Sequence, residues 1–219
     1  RPGGAPTVRR LVVDSVIAVL LKLLARVRAV GVSRIPRTGP LILAINHINF
    51  LEIPLLYTLL RPRRVLGMTK AETWHNPAFR ILANLWEAIP LRRGVADTRA
   101  FNRAAAELRR GAIVGIAPEG TRSRHGRLQK ANAGIITLAA RTGAPILPVA
   151  HYGGEEVFRS FRRFRRARVT VRVGKPVVVA EGGTLTRVQR EAYLNEVMTA
   201  LARLMPPEYR GYYADSVGS

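Results

Sequence analysis

Two residues in the first third of the chain have the types and spacing for proton transfer: His47 and, five positions on, Glu52. A carboxylate bonded to one ring nitrogen of an imidazole fixes its tautomer and raises the basicity of the other. A short turn would bring the Glu52 carboxylate back to the ring and make His47 a general base, in the manner of a serine-hydrolase triad. No serine nucleophile is required if the substrate supplies the hydroxyl. A histidine that caps a helix or sits on the surface could have the same neighbours, so the pair does not stand alone.

A second constellation is Ala117-Pro118-Glu119-Gly120-Thr121-Arg122-Ser123. Gly120 permits a tight turn, Thr121 and Ser123 offer donors, and Arg122 offers a planar fork that matches phosphate. Glu119 is an acid among bases, and its expected task is to hold an arginine in place. Upstream, Ile89-Pro90-Leu91-Arg92-Arg93-Gly94 ends a strand-like run in arginines beside a glycine. That suits phosphate capture, because glycine lets the backbone approach closely; a solvated charge pair is the alternative. Downstream, Ala144-Pro145-Ile146-Leu147-Pro148-Val149 is a proline-bounded apolar run, either core or the lining of an acyl channel.

In this order and spacing the four blocks resemble the glycerol-3-phosphate and 1-acylglycerol-3-phosphate acyltransferases, the lysophosphatidic acid acyltransferase family. The match runs from about Pro40 to Gly153, and its third block, Pro118 to Ser123, is the specific one. The resemblance implies that His47 is the catalytic base and Glu52 its acid partner. It puts Arg93, Glu119, Gly120, Thr121 and Arg122 at the acceptor phosphate and Pro148 on the acyl side. It further implies acyl-CoA or acyl carrier protein as donor, a phosphate-bearing lysolipid or glycerol phosphate as acceptor, with another lysolipid or a glycolipid as the alternative acceptor, and no metal or other cofactor. The implied location is the cytoplasmic face of a membrane, peripheral or monotopic. Two departures stand out: Glu52 replaces the family's usual aspartate, and Arg92 stands where an aspartate often precedes the arginine.

These residues need a scaffold, and the chain reads as a single α/β domain of the acyltransferase type, its mostly parallel or mixed sheet flanked by helices. Strands are expected over Leu41 to Ile45, Val65 to Thr69, Ala88 to Leu91, Ala112 to Ala117 and Ile146 to Ala150. Val169 to Val173 and Val177 to Val179 bracket Gly174 like a hairpin or a bent strand. Helices are expected over Leu51 to Leu60, Pro77 to Trp86, Asn132 to Arg141 and Leu185 to Leu204, with one more opened by Asp97 as N-cap and closed by Arg109-Arg110-Gly111. His47 would then follow a strand and precede a helix, at the carboxyl end of the sheet. Residues 1–31 are expected to form an amphipathic helix, 32–210 the acyltransferase domain, and 211–219 a loose tail.

Composition narrows the partners. The chain has 219 residues, no cysteine, and 36 Lys and Arg against 14 Asp and Glu, a formal charge of +22. Disulfides and thiol catalysis are thereby excluded. Such a charge fits nucleic acid, an anionic membrane surface, or a phosphate-rich molecule such as coenzyme A. No nucleic-acid motif is present, and nucleic-acid binding would leave the four blocks unexplained. Leu11 to Val30 is interrupted by Asp14, Lys22, Arg26 and Arg28, which suits a helix at a membrane interface or docked on the domain. Phe158, Phe161 and Phe164 recur among Arg159, Arg162, Arg163, Arg165, Arg166 and Arg168, a stripe for anionic lipid or a solvated connection. Arg61, Arg63 and Arg64 are expected to join that basic face or to meet coenzyme A phosphates.

Overall fold

The computed structural model describes residues 8–218 apart from 49–51, 93, 96, 124 and 183, and gives the backbone alone for 8, 9, 52, 53 and 158. In chain order its elements are α1 (Val8–Leu24), β1 (Ala25–Val30), β2 (Leu41–Ile45), α2 (Glu52–Leu59), β3 (Val65–Lys70), α3 (Pro77–Leu85) and β4 (Ile89–Leu91). There follow α4 (Thr98–Arg109), β5 (Ile113–Ile116), α5 (Gly134–Thr142), β6 (Ile146–Tyr152), α6 (Val157–Arg162), β7 (Ala167–Val173) and α7 (Arg187–Arg203).

The strands form one sheet in the order β1-β7-β6-β2-β5-β3-β4, parallel throughout except where β6 meets β7. The central strand β2 reads Leu-Ile-Leu-Ala-Ile with its first four side chains buried, as expected of a strand covered on both faces. Successive side chains of a strand point to opposite faces. Ile42 and Ala44 accordingly join a core under α4, α5 and α7, and Leu41 and Leu43 join one under α1 and α2. The result is three layers, helices on both sides of a sheet.

Caps explain where the helices begin. The Asp97 side chain accepts from Ala100 N, Asn76 accepts from the amides of Ala78 and Phe79, and Thr186 and Gln189 form a reciprocal capping box. Gly143 ends α5 in the left-handed conformation, with φ of 63°.

Two expectations are corrected and one open alternative is resolved. The N-terminal helix stops at Leu24, and residues 25–30 are a strand paired in register with β7, Ala25 opposite Ala167 and Val27 opposite Val169. The sequence Ala-Arg-Val-Arg-Ala-Val alternates with period two, which is strand chemistry, and its arginines sit on an exposed sheet edge. The helix itself is apolar on two sides: Ile17, Leu21 and Leu24 pack on the core, while Val12, Val16, Val19, Leu20 and Leu23 face outward. The tail beyond 210 is not loose. Gly211–Tyr213 and Asp215–Val217 are short 3-10 turns, and the buried Tyr213 hydroxyl accepts from Ala131 N at 3.1 Å. After β7 the chain runs on beside β6: Gly174 N donates to Pro148 O and Val177 bridges Ile146, so the bent strand is the correct alternative to the hairpin.

Candidate functional site

Because β2, β5, β3 and β4 are parallel neighbours, their carboxyl ends open on the same edge of the sheet. His47 lies just past the end of β2, and Glu119 to Ser123 lie just past the end of β5. Ala44 is the register partner of Ile116, so topology brings the two loops together. The contact is specific. His47 N donates to Glu119 Oε1 at 2.9 Å, and Ser123 N donates to His47 O at 2.7 Å. The chain enters the second loop through a turn from Ala117 to Gly120, closed by Gly120 N donating to Ala117 O at 3.0 Å, with Gly120 at φ of 70°. Residue 47 is thus held at both its amide and its carbonyl by one turn.

Glu119 is buried, and its second oxygen accepts from Gln129 N at 2.8 Å. The arginine-holding task expected of it is not what these two bonds do: they hold backbone. On the other side, Asn46 ties the His47 loop to β6. Its side chain donates to His151 O at 2.8 Å and accepts from His151 N at 2.9 Å, while Asn46 O accepts from His151 Nε2 at 2.7 Å. That last bond requires the ring proton on Nε2, since a carbonyl can only accept. Sequence reasoning missed His151 as part of this site. Its signal was position alone, a histidine at the carboxyl end of a strand next to β2.

His47, Gly120 and Arg122 line a common cavity of about 370 Å³. The exposed Lys70 and Glu72 also line it, and most of the remaining lining is apolar. One wall is the sheet face at Gly67 and Gly115, which are register partners on β3 and β5. A Cβ at Gly67 would meet nothing within 4 Å, so the cavity begins where that side chain would be. Phe79 and Leu82 of α3 also line the space, along with Tyr57 and Trp86. These two rings stack at 4.8 Å, and the Tyr57 hydroxyl donates to Trp86 O at 3.1 Å. Burial raises the Tyr57 phenol far above its usual range, so it stays neutral.

Two further predicted residues, Pro148 and Thr121, are described outside the cavity lining. Pro148 shares the face of β6 used by Ile146 and Ala150, which belong to the core on the other side of the sheet. Thr121 is exposed and is not part of the lining. The Glu52 side chain and all of Arg93 lie outside the described residues. The Asp97 carboxylate accepts from Arg92 N at 2.9 Å and Ala100 N at 3.2 Å, bonds that hold it below the usual carboxylate range.

Arg61, Arg63 and Arg64 are engaged within the fold. Arg61 pairs with Asp14 at 3.1 Å, Arg63 donates to the carbonyls of Pro36, Gly39 and Gly111, and Arg64 bonds Glu87 and Glu107. Their expected place on an open basic face is therefore corrected. Among the described residues no three His, Asp or Glu side chains gather as a metal site.

Comparison with known proteins adds an independent line. The profile of the acyltransferase family matches residues 26–152. The chain is similar to a 1-acyl-sn-glycerol-3-phosphate acyltransferase of Bacillus subtilis, 24% identical over 185 residues, covering 83% of this chain and 89% of that protein. It is also similar to a lyso-ornithine lipid O-acyltransferase of Pseudomonas aeruginosa, 32% identical over 112 residues, covering 51% of this chain and 42% of that protein. It spans 36% and 42% of the chloroplastic relatives it matches in Brassica napus and Arabidopsis thaliana. Among solved structures, the 1-acyl-sn-glycerophosphate (LPA) acyltransferase PlsC of Thermotoga maritima superposes with a TM-score of 0.66 at 25% identity, covering 89% of this chain and 80% of that one.

Proposed function

This chain belongs to the acyltransferase family, and we propose that it moves a fatty acyl group from acyl-CoA or acyl carrier protein to a hydroxyl of 1-acylglycerol-3-phosphate or glycerol-3-phosphate. The observation that carries this reading is the double grip of the Glu119–Ser123 turn on His47, which brings His47 and Arg122 to the lining of one largely apolar cavity. In the proposed reaction Arg122, with Arg93, binds the acceptor phosphate at the mouth, and Thr121 lies on its outer edge. That binding sets the acceptor hydroxyl beside His47, and positioning of this kind supplies several kcal/mol of a barrier. His47, assisted by Glu52, takes the hydroxyl proton as the oxygen attacks the thioester carbonyl. The carbon–sulfur bond then breaks, and the imidazolium returns its proton to the leaving thiolate. The fatty chain lies in the cavity between the bare sheet face at Gly67 and the rings of Tyr57 and Trp86.

Such an acceptor is a lipid, and the outward apolar side of α1 supports peripheral or monotopic docking on the cytoplasmic face of a membrane. Among the described residues no helix is long and apolar enough to cross one. The likeness to the Pseudomonas protein favours one second reading, a lyso-ornithine lipid as acceptor.

The test is an assay of purified protein and of His47→Ala with acyl-CoA and acyl carrier protein against a panel of glycerol-3-phosphate, lysophosphatidate and lyso-ornithine lipid, read by mass spectrometry. Lysophosphatidate or glycerol-3-phosphate is the expected acceptor. A folded His47→Ala protein should lose on the order of a hundredfold or more in kcat, as a missing general base does. Wild-type turnover in that variant removes the proposed mechanism, and acylation of lyso-ornithine lipid alone moves the chain to the second reading.

A further inference from the structure

The turn between α6 and β7 displays aromatic side chains that the domain itself does not use. Phe164 is 101% exposed and Phe161 is 61% exposed. Phe164 also holds a φ of 52°, a conformation that a bulky residue rarely adopts. The turn is nevertheless tightly bonded. Arg163 N and Arg165 N both donate to Ser160 O, at 3.0 and 2.9 Å, and Phe164 N donates to Phe161 O at 2.9 Å. The ring is therefore presented by a formed turn. Arg162, Arg163 and Arg165 surround it and are exposed.

The position of the turn matters. Arg166 Nη2 donates to Ala25 O at 3.0 Å, and Ala25 pairs with Ala167. Ala25 directly follows Leu24, the last residue of α1. The aromatic turn thus stands at the C-terminal end of α1, the helix that also exposes Val12, Val16, Val19, Leu20 and Leu23.

We propose that Phe161 and Phe164 form a second membrane anchor, their rings seated at the headgroup level of an anionic leaflet while Arg162, Arg163 and Arg165 meet lipid phosphates. This rests on the reading that the substrate is a lipid and that α1 lies on the bilayer. Charge complementarity selects the anionic leaflet. Shape selects lipid over other anionic partners: projecting rings need a medium that parts around them, and the neighbouring α1 stripe offers a nucleic acid no cations. Long arginine side chains can keep their guanidinium groups at the phosphates while their stems follow the rings inward.

The test uses the whole chain and vesicles of phosphatidylcholine with and without phosphatidylglycerol. In Phe164→Trp, indole emission should shift to the blue on phosphatidylglycerol vesicles and be quenched by brominated lipid, beyond the response of the wild-type protein. In Phe161→Ser with Phe164→Asn, vesicle affinity should fall on the order of tenfold, two buried rings being lost. Asparagine tolerates the left-handed backbone, so the turn is kept; an unchanged melting temperature, and unchanged turnover of detergent-dispersed acceptor, are the expected controls. Wild-type vesicle binding, together with an added indole signal in Phe164→Trp that ignores lipid, overturns the second anchor and leaves α1 docking intact. No vesicle binding by the wild-type protein, or tighter binding to RNA than to vesicles, overturns both.

Discussion

Both oxygens of the Glu119 carboxylate accept backbone amides, those of His47 and Gln129. A glutamine there would turn an NH2 group toward one of these donors. Glu119→Gln should therefore lower unfolding stability by about 1–3 kcal/mol, the cost of an unpaired buried donor. Because the amide it abandons belongs to His47 or props the turn that grips it, kcat should fall more than the KM for acyl-CoA. Denaturant titration and steady-state kinetics on one preparation check this; unchanged stability and kcat would refute the positioning role. Gly67 makes the opposite argument, since its missing side chain leaves room. The Cβ of Gly67→Val meets no neighbour, and a β-branched residue suits a strand, so the fold should hold. The added methyl groups would occupy the cavity, and each methylene of substrate displaced from it forfeits about 0.8 kcal/mol. Shorter acyl donors should gain relative to longer ones in a mixed-donor competition assay, and an unchanged chain-length profile would place the chain elsewhere.

At the scale of elements, α1 is tied to the cavity wall through the Asp14 carboxylate and through Arg10, which lies 5.9 Å from the centre of the Tyr57 ring. Asp14 accepts from Trp86 Nε1 at 3.0 Å and from Arg61 at 3.1 Å, and Trp86 lines the cavity in a stack with Tyr57. Asp14→Ala strands the indole N–H of the buried Trp86 and should cost about 1–3 kcal/mol in thermal or denaturant unfolding. It should also loosen that part of the cavity and so reduce turnover of long acyl donors more than short ones; equal loss for all donors would uncouple α1 from the pocket. The elements legible in the sequence are those written in one period. β2 is a solid apolar run, and α4 has an Asp97 cap, an apolar face and an Arg-Arg-Gly stop. β1 was hidden because a helical apolar run passes without a breaker into an alternating one, and only Ala25 of that strand is buried. The tail was hidden because what fixes it is tertiary, a single tyrosine reaching Ala131. The site was legible as blocks. Its connection was not: which loop holds His47, and which face of β6 Pro148 occupies, follow from strand order and parity.

For the whole molecule the question is how a charge of +22 is spent. Part of it is internal, since Arg61, Arg63 and Arg64 close ion pairs and carbonyl bonds inside the fold. The exposed arginines of the α6–β7 turn and of β1 remain for long-range attraction to anionic lipid, and the outward side of α1 supplies a contact that charge does not govern. The two contributions separate with salt, because the screening length shrinks from about 10 Å at 0.1 M to about 3 Å at 1 M. Sedimentation with phosphatidylglycerol-containing vesicles should weaken steeply over that range. It should level off at the affinity measured with neutral phosphatidylcholine vesicles, which should itself be nearly insensitive to salt. A plateau above zero assigns the residual attraction to apolar insertion. Complete release at high salt would mean that α1 rests on the domain alone and that arginine attraction is all that brings the protein to lipid.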